Sequence, residues 1–253
     1  MNLIFSIIAF IGLSTAHASF KTFTYSDRTW TRSISQTFSS KEIVHSDSKG
    51  FEINSYLTAK VIGMTIGNYH EKSIVDGNFS PKLDSRCRSP KKSGSKYNCY
   101  SRKFLNNGTF VFKEFNGKKT ILDRALNSNS SNSQTIDFYN IFPDYDPETQ
   151  NTYNITGLYF MTFQNDFGLG YDQKILYVTG LNEIYKVRLD ISKNNTNLII
   201  KINVLNSIKN INYPQEESSP LPGKFIYNIN RKIITSMHFK TKSLDYILRL
   251  ESI

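Results

Sequence analysis

The chain has 253 residues; 21% are charged, 39% hydrophobic and 13% aromatic, and the formal net charge is +10. Its 18 Phe and 15 Tyr supply enough apolar surface for a buried core, which excludes intrinsic disorder. With 13 Gly, 7 Pro and only 2 Cys, collagen-like and disulfide-dense classes are excluded as well.

Residues 1–18 read as a secretory signal. The apolar run Leu3–Leu13 is followed by Ala16-His17-Ala18, a small-x-small cleavage pattern. That run is shorter than the about 20 residues a membrane-crossing helix needs. No later stretch reaches that length, so an exported mature chain from about Ser19, without a transmembrane segment, is expected. Residues 19–49 are rich in Ser and Thr and are expected to form an N-terminal arm or edge strand. Residues 50–253 are expected to form a single domain.

Phe51 to Glu71 has helical spacing. Leu57, Val61 and Met64 fall on one stripe, and Ile62, Ile66 and Tyr69 lie beside it. Asn54 or Ser55 would cap the start. Gly63 and Gly67 weigh against a helix interior, and a strand is the alternative. Lys119–Asn127 suggests a short helix, with Thr120 as cap and Asp123 in the first turn. The polar tract 127–133 is a loop. β signals then dominate, beginning with Tyr159–Phe163 and Lys174–Val178. In Glu183–Ile191, Tyr185, Val187, Leu189 and Ile191 face one side, and Lys186, Arg188 and Asp190 the other. After a turn at Lys193–Asn197, Ile200, Ile202 and Val204 share a face. Phe225–Ile229 and Lys232–Phe239 read as a hairpin. The expected fold class is α+β: one or two short helices packed on an antiparallel β-sheet.

Export gives the two cysteines a meaning. A Cys87–Cys99 bridge closes a loop of about 13 residues and contributes roughly 3 kcal/mol in the chain-entropy model. Asn107, Asn129, Asn154 and Asn194 each begin an Asn-x-Ser/Thr glycosylation sequon and are expected at the surface. Asn78 begins another, with Pro81 just beyond it. Arg86, Arg88, Lys91, Lys92, Lys96, Arg102 and Lys103 put seven cations and no acid into one segment. Held by the bridge, they form a constrained basic loop suited to RNA, an anionic glycan or an anionic membrane surface. His45, His70 and His238 have no spacing that demands an acid–base role and are read as structural or surface residues. No further ligands lie near the cysteines at zinc-binding spacing, and no nucleophile or phosphate-loop motif is present, so no metal, cofactor or catalysis is expected.

Tyr97 to about Ile191 resembles the small fungal guanyl-specific ribonucleases. Asn98-Cys99-Tyr100-Ser101 is similar to the half-cystine near that family's N-terminus. Phe142-Pro143-Asp144-Tyr145 is similar to its Tyr-Pro-His-x-Tyr. Leu158-Tyr159-Phe160-Met161 falls where the family has Tyr-Tyr-Glu-Trp-Pro. Gly170-Tyr171-Asp172-Gln173-Lys174-Ile175-Leu176-Tyr177 resembles the last strand, and Pro222–Asn228 running on to His238 is a second candidate for it. The resemblance implies a helix packed on a sheet. Where the family has its catalytic His, Glu, Arg and His, this chain has Asp144, Phe160 or Met161, Gln173, and Leu189 or Asp190. In the second register only Lys224 and His238 match in kind. The resemblance therefore implies a secreted, catalytically inactive ribonuclease-like effector of the powdery mildew type, binding a host protein or RNA. From a different class, the competing expectation is an extracellular β-rich glycoprotein that recognises anionic glycans.

Overall fold

The computed structural model describes residues 21–29, 31–45, 48–88, 97–105, 109–117, 133–137, 141–145, 152–155, 157–158, 173–179, 183–209, 221–240 and 245–252. Every element defined among them is a strand. In chain order these are β1 (Lys21–Arg28), β2 (Arg32–His45), β3 (Ser48–Val61), β4 (Met64–Asp76), β5 (Pro81–Arg88), β6 (Tyr97–Phe104), β7 (Thr109–Gly117) and β8 (Ser133–Asp137). Then follow β9 (Thr152–Asn154), β10 (Gln173–Thr179), β11 (Glu183–Asn194), β12 (Asn197–Lys209), β13 (Lys224–Asn228), β14 (Ile233–Lys240) and β15 (Asp245–Ser252). The expected α+β class is overturned: the described residues are almost entirely β-sheet, with no helix among them. The signal segment and the expected helix at 119–127 lie outside the described residues, as does the 159–163 run.

All fifteen strands belong to one sheet, in the order β8-β7-β6-β5-β4-β3-β2-β1-β15-β14-β13-β12-β11-β10-β9. Two antiparallel meanders are joined where the first strand pairs with the last, at Tyr25↔Leu250 and Ser26↔Arg249. Among the described strands only β9 and β10 run parallel. The Ser/Thr-rich segment supplies β1 and β2, each hydrogen-bonded on both sides.

Phe51 to Glu71 forms two strands because its inward positions follow a period of two. Ile53 and Ser55 are buried, while Tyr56 next to Ser55 points outward. The chain reverses at Ile62-Gly63, with φ of 48° and 76°, between the paired Val61 and Met64. Two positive φ values in a two-residue loop match the twist of the flanking strands, and Gly63 meets that demand at no steric cost. Glu183–Asn194 and Asn197–Lys209 form the expected hairpin, with Asn195 at φ 53° in its turn. Ile200, Ile202 and Val204 pair with Ile191, Leu189 and Val187 and share the expected face, Val204 half-exposed beside the bulge that shifts the register between Lys186 and Val187. The β13–β14 hairpin also forms.

The sheet rolls around one core. Tyr25, Phe38 and Ile53 from the first meander pack with Leu176, Val187, Ile200, Phe225, Met237 and Leu248 from the second. The Tyr25 hydroxyl crosses this core to donate to the carbonyl of Ile234 at 2.9 Å, and burial raises its pKa. A second cluster lies on the opposite face of β10, where Phe142 and Tyr145 cover Tyr177 edge-on at 5.2 and 4.9 Å. The Phe-Pro-Asp-Tyr motif that resembled a ribonuclease signature is therefore a packing turn here, closed by Tyr145 N–H to Phe142 C=O at 2.9 Å.

Candidate functional site

Cys87 and Cys99 are register partners on β5 and β6 and form the expected disulfide, with Cα atoms 4.2 Å apart. The basic segment around them divides. Arg102 is buried and donates through Nε and Nη2 to Asp84 at 2.9 and 2.6 Å. The Arg86 guanidinium is 3.1 Å from Glu71 and lies over the Tyr69 ring at 4.3 Å from its centroid. Burying a cation requires a compensating acid, and both arginines have one across the strand ladder. This corrects the expected seven-cation loop: Arg86 and Arg102 face the interior. Lys103 is exposed. Arg88 sits on β5, its side chain outside the description, and Lys91, Lys92 and Lys96 lie outside the described residues.

Asn154 corrects a second expectation. It is 2% exposed, and its amide donates to Ser73 at 2.8 Å and to Asp84 at 3.1 Å. Its oxygen accepts from Gly157 N–H at 2.6 Å. Both amide hydrogens serve as internal donors, so Asn154 is a core residue and not a surface glycan acceptor. Asn194 and Asn78 are exposed, while Asn107 and Asn129 lie outside the described residues. Further polar groups line this part of the interior: Gln36 donates to Ser55 at 3.1 Å, and Arg32 pairs with Asp27 at 2.8 Å. Burial pushes the Tyr246 phenol up to about 12, with Arg32 and Arg86 pulling against it.

The outward face of β12–β15 carries the cations that the interior does not neutralise. Lys201, Lys224 and His238 are register partners on β12, β13 and β14. Lys240 lies two residues beyond His238 on the same face, and Arg249 pairs with Ser236 on β15. Adjacent strands stand about 4.8 Å apart, so the row crosses the sheet at right angles to the strands. Lys201, Lys240 and Arg249 are exposed. Neighbouring acids are already engaged: Asp190 accepts from Arg188 at 2.8 Å and from Asn203 at 2.7 Å, and Asp245 meets His238 Nε2 at 2.7 Å. The His238 hydrogen bond also lowers the Asp245 pKa. Sequence reasoning noted the Lys186/Arg188 face but missed this row.

The remaining candidates do not converge on one site. His45 ends β2, its side chain outside the description, and His70 on β4 stacks on Tyr56 at 4.1 Å. Asp144 accepts a hydrogen bond from Lys186, which holds its carboxyl below the usual range. Gln173 begins β10, and Leu189 is buried in the core. Among the described residues no cluster of His, Cys, Asp and Glu side chains is suited to a metal ion. Among them, too, no helix is long and apolar enough to cross a membrane. A cavity of about 360 Å³ is lined by Arg231, Thr235, Leu250, Glu251 and Ser252, with one cation and one acid. No protein-family model, curated protein or solved structure matches the chain.

Proposed function

We propose that this protein is an exported, non-catalytic binding protein that recognises an anionic glycan through the outward face of β12–β15. The observation that carries this reading is the cross-strand row Lys201–Lys224–His238, extended by Lys240 and Arg249. A linear sulfated or carboxylated chain laid across the strands meets Lys201 and Lys224 at successive strand spacings, with His238 beside them as a further polar contact. Cations on a rigid sheet are preorganised, so little side-chain and backbone ordering opposes binding. Export and the Cys87–Cys99 bridge favour an extracellular ligand over RNA. The ribonuclease-like alternative implied an α+β fold, whereas the described elements are all strands, as the β-rich reading expects.

The test is heparin-affinity chromatography together with titration of a short heparin oligosaccharide. Wild type is retained at low salt and released as salt shortens the Debye length from about 10 Å at 0.1 M to about 3 Å at 1 M. Lys201→Glu with Lys224→Glu lowers the affinity by about tenfold or more. Absence of wild-type retention at low salt overturns the reading, as does unchanged retention of the double variant. Binding of single-stranded RNA in preference to heparin overturns the choice of ligand.

A further inference from the structure

We propose that the β3–β4 hairpin tip, Ile62-Gly63-Met64, is an anchor that inserts into the interface of an anionic lipid membrane. Ile62 and Met64 are 73% and 68% exposed, so the turn presents two large apolar side chains side by side to solvent. The backbone sharpens the point. A turn of this kind favours Asn or Gly at its first position, because a side chain branched at Cβ crowds the backbone at positive φ. Ile62 occupies that position at φ 48°.

A second strained residue shows what an internal compensation looks like. Phe79 also has positive φ, at 64°, but its ring is buried and stacks on Phe51 at 5.1 Å. Core packing offsets the strain at Phe79. At Ile62 no core packing does so: its side chain points into water, and the backbone is held by the turn itself and by one hydrogen bond to Thr31. A side chain branched at Cβ, kept at positive φ and left in solvent, carries strain without core packing to offset it.

The surroundings select the occupant. Arg28, Ser33, Lys60 and Thr65 form one cross-strand row just below the tip. Lys60 is exposed, and the Arg28 side chain is 67% exposed and lies 3.2 Å from Glu251. From Thr58 to Tyr69 the chain contains no acid. An apolar tip with the exposed Lys60 and the half-neutralised Arg28 just below it matches a bilayer interface, where acyl chains lie beneath anionic headgroups. The net charge of +10 adds long-range attraction to such a surface. Ile62 N–H donates to Thr31 C=O at 2.7 Å, which braces the tip against the neighbouring turn.

The experiment is co-sedimentation with vesicles of phosphatidylcholine alone and of phosphatidylcholine with about one-third phosphatidylserine. Wild type partitions onto the anionic vesicles. Ile62→Asn with Met64→Ser lowers that partitioning at least about tenfold. Because Asn suits positive φ, the variant folds with an unchanged or higher melting temperature, so its loss is not a folding defect. Its heparin retention stays at the wild-type level, which separates this tip from the β12–β15 face. Val44→Ser, at an equally exposed apolar position (73%) near the opposite end of β3, leaves partitioning unchanged. Equal partitioning of wild type and the tip variant overturns the proposal. So does failure of wild type to bind either vesicle. A wild-type dimer that becomes monomeric in the tip variant assigns the tip to a second copy instead.

Discussion

Removing Asp84 tests whether the basic segment serves the interior or a ligand. Its carboxylate accepts both donors of Arg102 and one from Asn154, and the Asp84 and Arg102 side chains are 8% and 6% exposed. Asp84→Ala leaves the buried guanidinium without its carboxylate, a loss of about 3–5 kcal/mol for a buried pair. It also takes an acceptor from Asn154, worth about 1–3 kcal/mol when the donor stays buried. Typical domains are stable by only about 5–15 kcal/mol, so this substitution removes a large share of the total. Arg102→Ala costs a similar amount by stranding the carboxylate. Replacing both together, Asp84→Leu with Arg102→Met, costs far less than the sum, because no charge remains to be buried. Urea unfolding followed by circular dichroism measures all three variants. Single substitutions costing under about 1 kcal/mol, or a double variant equal to their sum, would refute the buried-pair reasoning. Heparin retention of the folded Arg102 variant should match wild type, since Arg102 does not face solvent.

Three further outcomes follow from the same structure. When the protein is produced in a glycosylating host, mass spectrometry of its peptides should find Asn154 unmodified, because both its amide hydrogens are donated internally. Replacing Cys87 and Cys99 together by Ala should lower stability by roughly 3 kcal/mol in non-reducing unfolding measurements and leave reducing measurements unchanged. Burial raises the phenols of Tyr153 and Tyr246 from 10.0 to about 12. Their folded pKa values exceed the unfolded ones, so their contribution is complete below pH 10 and is lost as pH rises toward 12. A spectrophotometric titration should therefore show delayed ionisation and loss of the fold in that window; smooth titration of every tyrosine near pH 10 with the fold intact contradicts it.

The β11–β12 hairpin was legible because Tyr185, Val187 and Leu189 alternate strictly with charged residues, which a half-buried strand requires. Phe51–Glu71 misled because its inward face mixes Ile53 with Ser55, while its outward tip carries Ile62 and Met64. Apolar residues on both faces of two strands imitate a helical stripe, and Ile-Gly is not the Asn-Gly pair that announces such a turn. The buried arginines were missed because their partners are distant in sequence, yet one inference would have found Asp84. A cross-strand disulfide fixes register. Three residues back from Cys87 and three forward from Cys99 land on Asp84 and Arg102, the observed pair. The outward row Lys201–Lys224–His238 depends on two successive registers, and no single strand displays it.

The placement of the buried ions follows from how so wide a sheet ends. A rolled sheet whose two edges do not hydrogen-bond to each other must close its core by side chains. Here one edge is β9, a strand of only 3 residues, and it lies against β4 and β5 of the first meander. Apolar contacts alone would let this edge slide, because hydrophobic burial has no direction. Asn154 removes that freedom: it addresses Ser73 on β4 and Asp84 on β5 at once, and Arg102 on β6 holds Asp84 in place. A buried ion pair is weak evidence for stability, but one that ties three strands to the closing edge selects a single alignment. On this reasoning the Asp84→Leu, Arg102→Met variant keeps most of its stability and loses uniqueness at the seam. Amide hydrogen exchange should rise at β9 and β10 before it rises at β1, β2 or β15, whereas uniform exchange across the sheet would place the register elsewhere.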